Sequence, residues 1–115
     1  MGVTKKIEFG EMDFEAAQPA PEGAKVDLYP FNALRFYGGF PVDDEALLTD
    51  YAVVLLGEGG EKFGFNLGYT VNRGDAIRVN LNRWVSLNEL PVDTYTIYFV
   101  MNDQAYDVGC SVHIE

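Results

Sequence analysis

Alternation of apolar and polar residues is the feature of this sequence that most constrains its fold. From residue 77 to 82, Ile77, Val79 and Leu81 alternate with Arg78, Asn80 and Asn82. A period of two is typical of a β-strand with one buried face and one exposed face. Residues 63–71 alternate in the same way, and Asn72-Arg73-Gly74-Asp75 between the two runs predicts a turn. The two runs therefore predict a β-hairpin.

Several other segments are rich in β-branched and aromatic residues, as strands are. They span 6–9, 25–29, 34–37, 51–56, 94–101 and 108–114. Pro30 and the pair Gly38-Gly39 are expected to bound the third of these, residues 102–105 are expected to form a turn, and residues 43–48 are expected to form one helical turn. Tyr51 to Leu56 shows no alternation, which predicts a strand that is covered on both faces in the middle of a sheet.

Seven or eight short strands with regular turns predict an all-β protein, an antiparallel β-sandwich of immunoglobulin-like or jelly-roll-like type. A length of 115 residues fits a single domain over 1–115. Within it, residues 16–24 are a Pro/Ala-rich connection, and residues 85–93 are long enough to cross between sheets. The predicted core comprises Val53, Leu55, Phe63, Phe65, Leu67, Ile77, Val79, Leu81, Tyr95, Ile97, Phe99, Cys110 and Val112.

The net charge narrows the choice of partners. Eight basic and eighteen acidic residues give −10, and residues 1–61 alone carry −8. A nucleic-acid partner is not expected, because binding to phosphates needs a basic face. The acidity is interpreted as a solvated surface, with a face for a cationic partner as the alternative.

The residues available for catalysis and metal binding are few. His113 and Cys110 are the single histidine and the single cysteine, and a spacing of three on a strand places them on opposite faces. A Cys-His pair and a transition-metal site are therefore not expected, and we expect neither enzymatic activity nor a cofactor. Calcium needs only oxygen ligands, which are available in Asp43, Asp44, Glu45 and Asp50 together with Asp103 or Asp107.

A ligand-binding patch is predicted on the polar face of the 77–84 strand. Its parity places Trp84 outward with Arg78, Asn80 and Asn82, and Tyr98 is predicted to be the second aromatic residue of the patch. An outward aromatic residue among amide and guanidinium groups suits protein interfaces, and it also suits sugar rings.

The segment Leu90-Pro91-Val92-Asp93-Thr94-Tyr95-Thr96-Ile97 resembles the L-P-x-G-x-Y-x-hydrophobic start of a late strand in bacterial immunoglobulin-like and fibronectin-type-III-like modules. Asp93 stands where those modules usually have glycine. The resemblance implies that Tyr95 is a corner tyrosine with its hydroxyl bonded to the backbone. It also implies a role in adhesion, spacing or particle decoration, and it carries over no functional residue.

The function expected from the sequence is a non-enzymatic binding or structural-assembly module, such as a surface or phage-particle subunit. Two alternatives remain open: a small carbohydrate-binding domain, and an acidic inhibitor or immunity-type protein that blocks a basic partner. The expected partner is a protein or a second copy of the chain, with a glycan as a further option and no insertion into a membrane. No signal peptide is recognised, so we expect a soluble chain located in a phage particle, in the cytoplasm, or outside the cell after removal of a leader.

Overall fold

The computed structural model describes residues 13–42, 51–101 and 104–115. These residues form nine strands. They are β1 (Gln18–Pro19), β2 (Ala24–Tyr29), β3 (Ala33–Val42), β4 (Tyr51–Gly57), β5 (Lys62–Leu67), β6 (Tyr69–Arg73), β7 (Ile77–Ser86), β8 (Asp93–Met101) and β9 (Gln104–Ile114). No helix among the described residues is long and apolar enough to cross a membrane.

The strands form two sheets. A five-stranded sheet has the order β1-β9-β8-β4-β5, and a four-stranded sheet has the order β2-β3-β7-β6. Neighbouring strands are antiparallel except β1 and β9, which are parallel. The predicted all-β sandwich is confirmed, with nine described strands rather than seven or eight.

The core lies between the two sheets and joins side chains from both. Phe36 of the four-stranded sheet stacks on Phe99 of the five-stranded sheet with 5.1 Å between ring centroids, and both rings are fully buried. Among the predicted core residues, Val53, Leu55, Phe65, Leu67, Val79, Leu81, Tyr95, Ile97 and Phe99 are buried. Phe63, Cys110 and Val112 are partly buried against this core, and Ile77 is only of intermediate exposure.

Strand β4 is covered on both faces, as its unbroken apolar sequence predicts. Its inner face contributes Val53 and Leu55 to the core, whereas Ala52 and Val54 on its outer face pack in a second cluster with Phe14. The segment that precedes β1 therefore covers the outer face of the five-stranded sheet. The sequence predicts the cover on both faces of β4, but it does not indicate which segment supplies it.

The alternating run 63–71 is not one strand, so the hairpin predicted for it is correct only in part. Residues up to Leu67 belong to β5 and pair with β4, whereas Tyr69 onward belongs to β6 and pairs with β7. The chain changes sheets at Gly68, where a Cβ atom would meet nothing within 4 Å. Alternation reports which side chains are apolar, but it does not report which sheet each half of the run joins.

Three further boundaries differ from the predictions. Gly38 and Gly39 do not end a strand, since β3 continues to Val42. Gln104 and Ala105 belong to β9 rather than to a turn. The predicted connection 16–24 contains β1, a two-residue strand at the edge of its sheet. The strand predicted at 6–9, the helical turn predicted at 43–48 and the turn residues 102–103 lie outside the described residues.

The predicted crossing between sheets is confirmed. β7 ends at Ser86 in the four-stranded sheet, and β8 begins at Asp93 in the five-stranded sheet. The fully buried Leu87 anchors this connection, and its backbone N–H donates to the Asn32 carbonyl oxygen at 2.8 Å.

Candidate functional site

The outer face of β7 carries four of the five residues predicted to bind a ligand. Val79, Leu81 and Val85 point into the core, so the alternate residues between them point outward. Arg78, Asn80, Asn82 and Trp84 therefore lie together on the outer face of the four-stranded sheet. The Trp84 side chain is 56% exposed, which agrees with its predicted parity.

Tyr98, the fifth predicted residue, is not part of this patch. It lies on β8 in the other sheet, and its ring meets the buried Phe14 at 4.9 Å in an edge arrangement. The prediction that Tyr98 accompanies Trp84 is therefore wrong. Strand parity identified two outward aromatic residues, but they are on opposite outer faces of the sandwich.

The actual neighbours of Trp84 come from β2 and β3. Arg35 is its cross-strand partner, and the Arg35 guanidinium lies 4.3 Å from the centre of the Tyr37 ring and 5.7 Å from that of Trp84. The Tyr29 ring lies 4.8 Å from the Trp84 ring. We call the group Tyr29, Arg35, Tyr37, Asn82 and Trp84 the aromatic platform. Its arginine sits within cation–π distance of two rings.

Hydrogen bonds fix the polar groups of the platform. Arg35 Nε donates to Asn82 Oδ1 at 3.0 Å, and the Tyr29 hydroxyl donates to the Asp27 carboxylate at 3.3 Å. A hydrogen bond to the same carboxylate raises the pKa of Tyr37, and partial burial raises it further. The Asp27 carboxylate thus interacts with the hydroxyl groups of both tyrosines, although its cross-strand partner is Arg35.

An exposed phenylalanine stands at the tip of the hairpin that connects β2 and β3. Phe31 is 90% exposed and has a φ of 64°, a left-handed conformation that bulky residues rarely adopt. Asn32 has a φ of 58°, and its side-chain amide donates to Asn88 Oδ1 at 3.3 Å. This bond and the backbone bond from Leu87 hold the tip against the β7–β8 connection.

A shallow open pocket adjoins the platform. Its volume is about 250 Å³, and it lies where β6 meets β7. The lining residues are Gly68, Tyr69, Thr70, Asn80, Leu81 and Asn82. The pocket therefore shares Asn82 with the platform and combines one aromatic ring with amide and hydroxyl groups.

The charges of the four-stranded sheet are opposite in sign to those of the whole protein. Its strands contain Lys25, Arg35, Arg73, Arg78 and Arg83. The acid in these described strands is Asp27, so their balance is +4 in a chain of net charge −10. Apart from Asp27, the acidic residues that give the chain its negative charge therefore lie outside these four strands.

Cys110 and His113 are separated as the sequence predicts. Cys110 is half-buried against the core, and burial is the main cause that raises the pKa of its thiol. His113 is exposed on the other face of β9, where its Nδ1 lies 2.7 Å from Thr94 Oγ1.

The proposed calcium ligands are mostly outside the described residues, since only Asp107 belongs to them. Asp107 Oδ1 accepts a hydrogen bond from the Gly109 backbone N–H at 2.7 Å. Within the ranges that the structure describes, no three His, Cys, Asp or Glu side chains are grouped to hold a metal ion.

Sequence reasoning missed Tyr29, Arg35 and Tyr37 as members of the site, although the signal was present. Leu34 and Phe36 are apolar, so their alternates Arg35 and Tyr37 share one face of β3. The parity argument that placed Trp84 outward would also have placed these residues outward.

Comparisons with protein-family models, with curated proteins and with solved structures found no match to this chain.

Proposed function

We propose that this protein is a non-enzymatic β-sandwich module that binds a partner protein through the aromatic platform, as a subunit of a surface or particle assembly would. The observation that carries the proposal is the stack on a sheet face in which the Arg35 guanidinium lies over the Tyr37 ring and near the exposed Trp84 ring. Tryptophan, tyrosine and arginine are the residues most enriched at the energetic centres of protein interfaces.

The platform is ordered before a partner arrives. Arg35 is held by Asn82 and by two aromatic rings, so a partner immobilises little additional side-chain freedom. Phe31 adds a fully presented apolar side chain at the same end of the sheet as Tyr29. An exposed aromatic residue in an unfavourable backbone conformation supports a role in contact, because the fold gains little from it.

The geometry around Tyr95 supports the resemblance to immunoglobulin-like and fibronectin-type-III-like modules. The Tyr95 hydroxyl donates to the Pro91 carbonyl oxygen at 2.6 Å, four residues upstream, as a corner tyrosine would. Asp93, which replaces the usual glycine, accepts a hydrogen bond from the Gly59 N–H at 3.2 Å in the β4–β5 turn. Asp93 therefore makes a hydrogen bond that the glycine usual at this position could not make.

Site-directed photo-crosslinking in the cells that naturally express the chain tests the proposal. A benzophenone amino acid at Phe31 is expected to give a discrete protein adduct. The same group at Ser111, which is exposed on the outer face of the other sheet, is the matched control. Arg35→Gln should remove the adduct from position 31. Equal labelling from both positions, or an adduct that survives Arg35→Gln, would count against the platform.

A second candidate function is the binding of a neutral sugar in the pocket next to the platform. The observation that favours it is the lining of the pocket, which includes Tyr69 together with Thr70, Asn80 and Asn82. Such a site can stack on a pyranose ring and hydrogen-bond to its hydroxyls. Glycan-array retention that is lost in Tyr69→Ala and kept in Val92→Ala, an exposed apolar control, would support it. Retention unchanged in Tyr69→Ala would reject the pocket.

A further inference from the structure

The two outer faces of the sandwich differ in charge. By strand parity the outer face of the four-stranded sheet carries Lys25, Arg35 and Arg78 against Asp27, a balance of +2, whereas the outer face of the five-stranded sheet carries Lys62 against Asp107, a balance of 0. The segment that covers the five-stranded sheet adds Asp13 and Glu15. One molecule therefore presents a basic aromatic face and, on its opposite side, an acidic face.

The acidic face has its own aromatic centre. Burial, followed by the charges of Asp107 and Glu15, raises the pKa of Tyr98, so both carboxylates act on the Tyr98 hydroxyl. Glu15 and Asp107 are both exposed. Phe14 packs against the Tyr98 ring and holds Glu15 beside it. The face thus offers two carboxylates around a partly buried ring, which is the kind of surface that an arginine–aromatic platform complements.

The platform presents a cationic group. Arg35 Nε donates to Asn82 Oδ1 at 3.0 Å, while the cross-strand partner of Arg35, Asp27, accepts a hydrogen bond from the Tyr29 hydroxyl. The two terminal nitrogens of a guanidinium held in this way form a fork that matches the two oxygens of a carboxylate.

We propose that copies of this chain associate head to tail. In each contact the Arg35 guanidinium of the aromatic platform binds the Glu15 carboxylate on the acidic face of the next copy. The inference rests on the proposed function and names its partner as a second copy. The two surfaces of such a contact are different, so a pair of copies keeps one free platform and one free acidic face, and the assembly can extend.

The net charge of −10 on each copy opposes this contact at long range but does not prevent it. At physiological salt the Debye length is about 8 Å, so repulsion between distant charges is screened while a close ion pair is weakened less. Apolar contact from Trp84 and Phe31 adds a component that salt does not screen. We therefore expect association at physiological salt and weaker association at about 1 M salt.

Charge reversal on each face separately, followed by mixing, tests the proposal in purified protein. Sedimentation velocity should show species above the 12.8 kDa monomer for the unmodified chain. Arg35→Glu and Glu15→Arg should each be monomeric alone. Mixed together they restore opposite charges both at the native pair and at the reversed pair, so the mixture should assemble again. The double variant in one chain should extend again.

Two single-charge controls make the result specific. Arg78→Glu makes the same change in charge on the four-stranded sheet outside the aromatic stack, and Glu58→Arg makes it in the exposed β4–β5 turn. Both should assemble as the unmodified chain does, and thermal unfolding should show that all variants fold.

These experiments distinguish a failure of the head-to-tail contact from a failure of the proposed binding function. An unmodified chain that is monomeric at high concentration, or controls that fail as completely as the Arg35 and Glu15 variants, would overturn the head-to-tail contact. If the Phe31 crosslinker still gave an adduct of a different protein, the proposed binding function would stand without it. Assembly that persists in Arg35→Glu would instead assign self-association to a surface other than the platform.

Discussion

Tyr95 shows how one side chain can connect a loop to the core. Its ring is 1% exposed among core residues, while its hydroxyl reaches back to the Pro91 carbonyl oxygen at 2.6 Å. We expect Tyr95→Phe to lower the free energy of unfolding by about 1 kcal/mol, because it removes this hydrogen bond and keeps the ring. Tyr95→Ala should cost about 3–5 kcal/mol because it also empties the space of the ring. Urea denaturation of the three proteins measures both values, and a Phe variant as stable as the parent would show that the bond to Pro91 contributes nothing.

Cys110 is expected to react slowly for two reasons. Its side chain is partly buried against the core, and burial together with the charge of Asp107 raises the pKa of the thiol. Only the thiolate is a good nucleophile, so we expect modification by a disulfide reagent at neutral pH to be at least about tenfold slower in the folded chain than in urea. Absorbance of the released thiol follows the reaction. Equal rates in the two states would place Cys110 outside the protected interior.

Close approach of two backbones constrains the start of β2. Gly38 has a φ of 133°, and a Cβ atom there would collide with the carbonyl group of Gly23. We expect Gly38→Ala to destabilise the protein by more than about 2 kcal/mol. The positive φ is unfavourable for alanine, and the added Cβ atom would collide with the Gly23 carbonyl group. Gly74→Ala is the matched control, because nothing lies within 4 Å of the added atom. Chemical denaturation should separate the two variants, and similar losses would argue against the Gly23–Gly38 approach.

The success of sequence reasoning differed between elements for physical reasons. The faces of β7 were predicted because one strand with regular alternation carries that information by itself. The change of sheet at Gly68 was not predicted, since Phe65 and Tyr69 obey the same alternation while their strands pair with different partners. The cover of β4 by Phe14 depends on a contact across distant parts of the chain, and no local pattern reports it.

For the same reason, only part of the candidate site was predicted from the sequence. Trp84 and Asn82 were placed on the correct face by parity within their own strand. Arg35 joins them only because β3 pairs with β7, which the sequence did not reveal. Tyr98 was grouped with Trp84 because parity cannot distinguish the outer faces of two sheets.

The stability of the whole molecule is expected to fall in alkaline solution. Burial raises the pKa values of Tyr95 and Tyr98 above the ordinary 10.0, and it raises that of Cys110 above the ordinary 9.0. Folding therefore favours the neutral forms. Their contribution is complete below the unfolded pKa values and is lost as the pH rises through the folded ones.

Urea denaturation from about pH 8 to about pH 11 should show a free energy of unfolding that declines above the ordinary thiol pKa and then more steeply above the ordinary phenol pKa. Tyr95→Phe removes one of the titrating groups and should reduce the steeper part of the decline. A stability that rises with pH in this window would contradict the raised pKa values.

The parallel pairing of β1 with β9 has a consequence for mechanical load. β1 lies near the start of the described chain and β9 at its end, and they are joined at Gln18–Tyr106 and Pro19–Asp107 and by the Ala20 N–H to the Asp107 carbonyl oxygen at 2.9 Å. Force applied at the two ends of the chain pulls parallel strands in opposite directions, so it shears their hydrogen bonds together instead of opening them one at a time. A module connected in series through its ends would thus meet tension first at this short pair. Pulling single molecules should show an early, small extension as β1 detaches, before the two sheets separate.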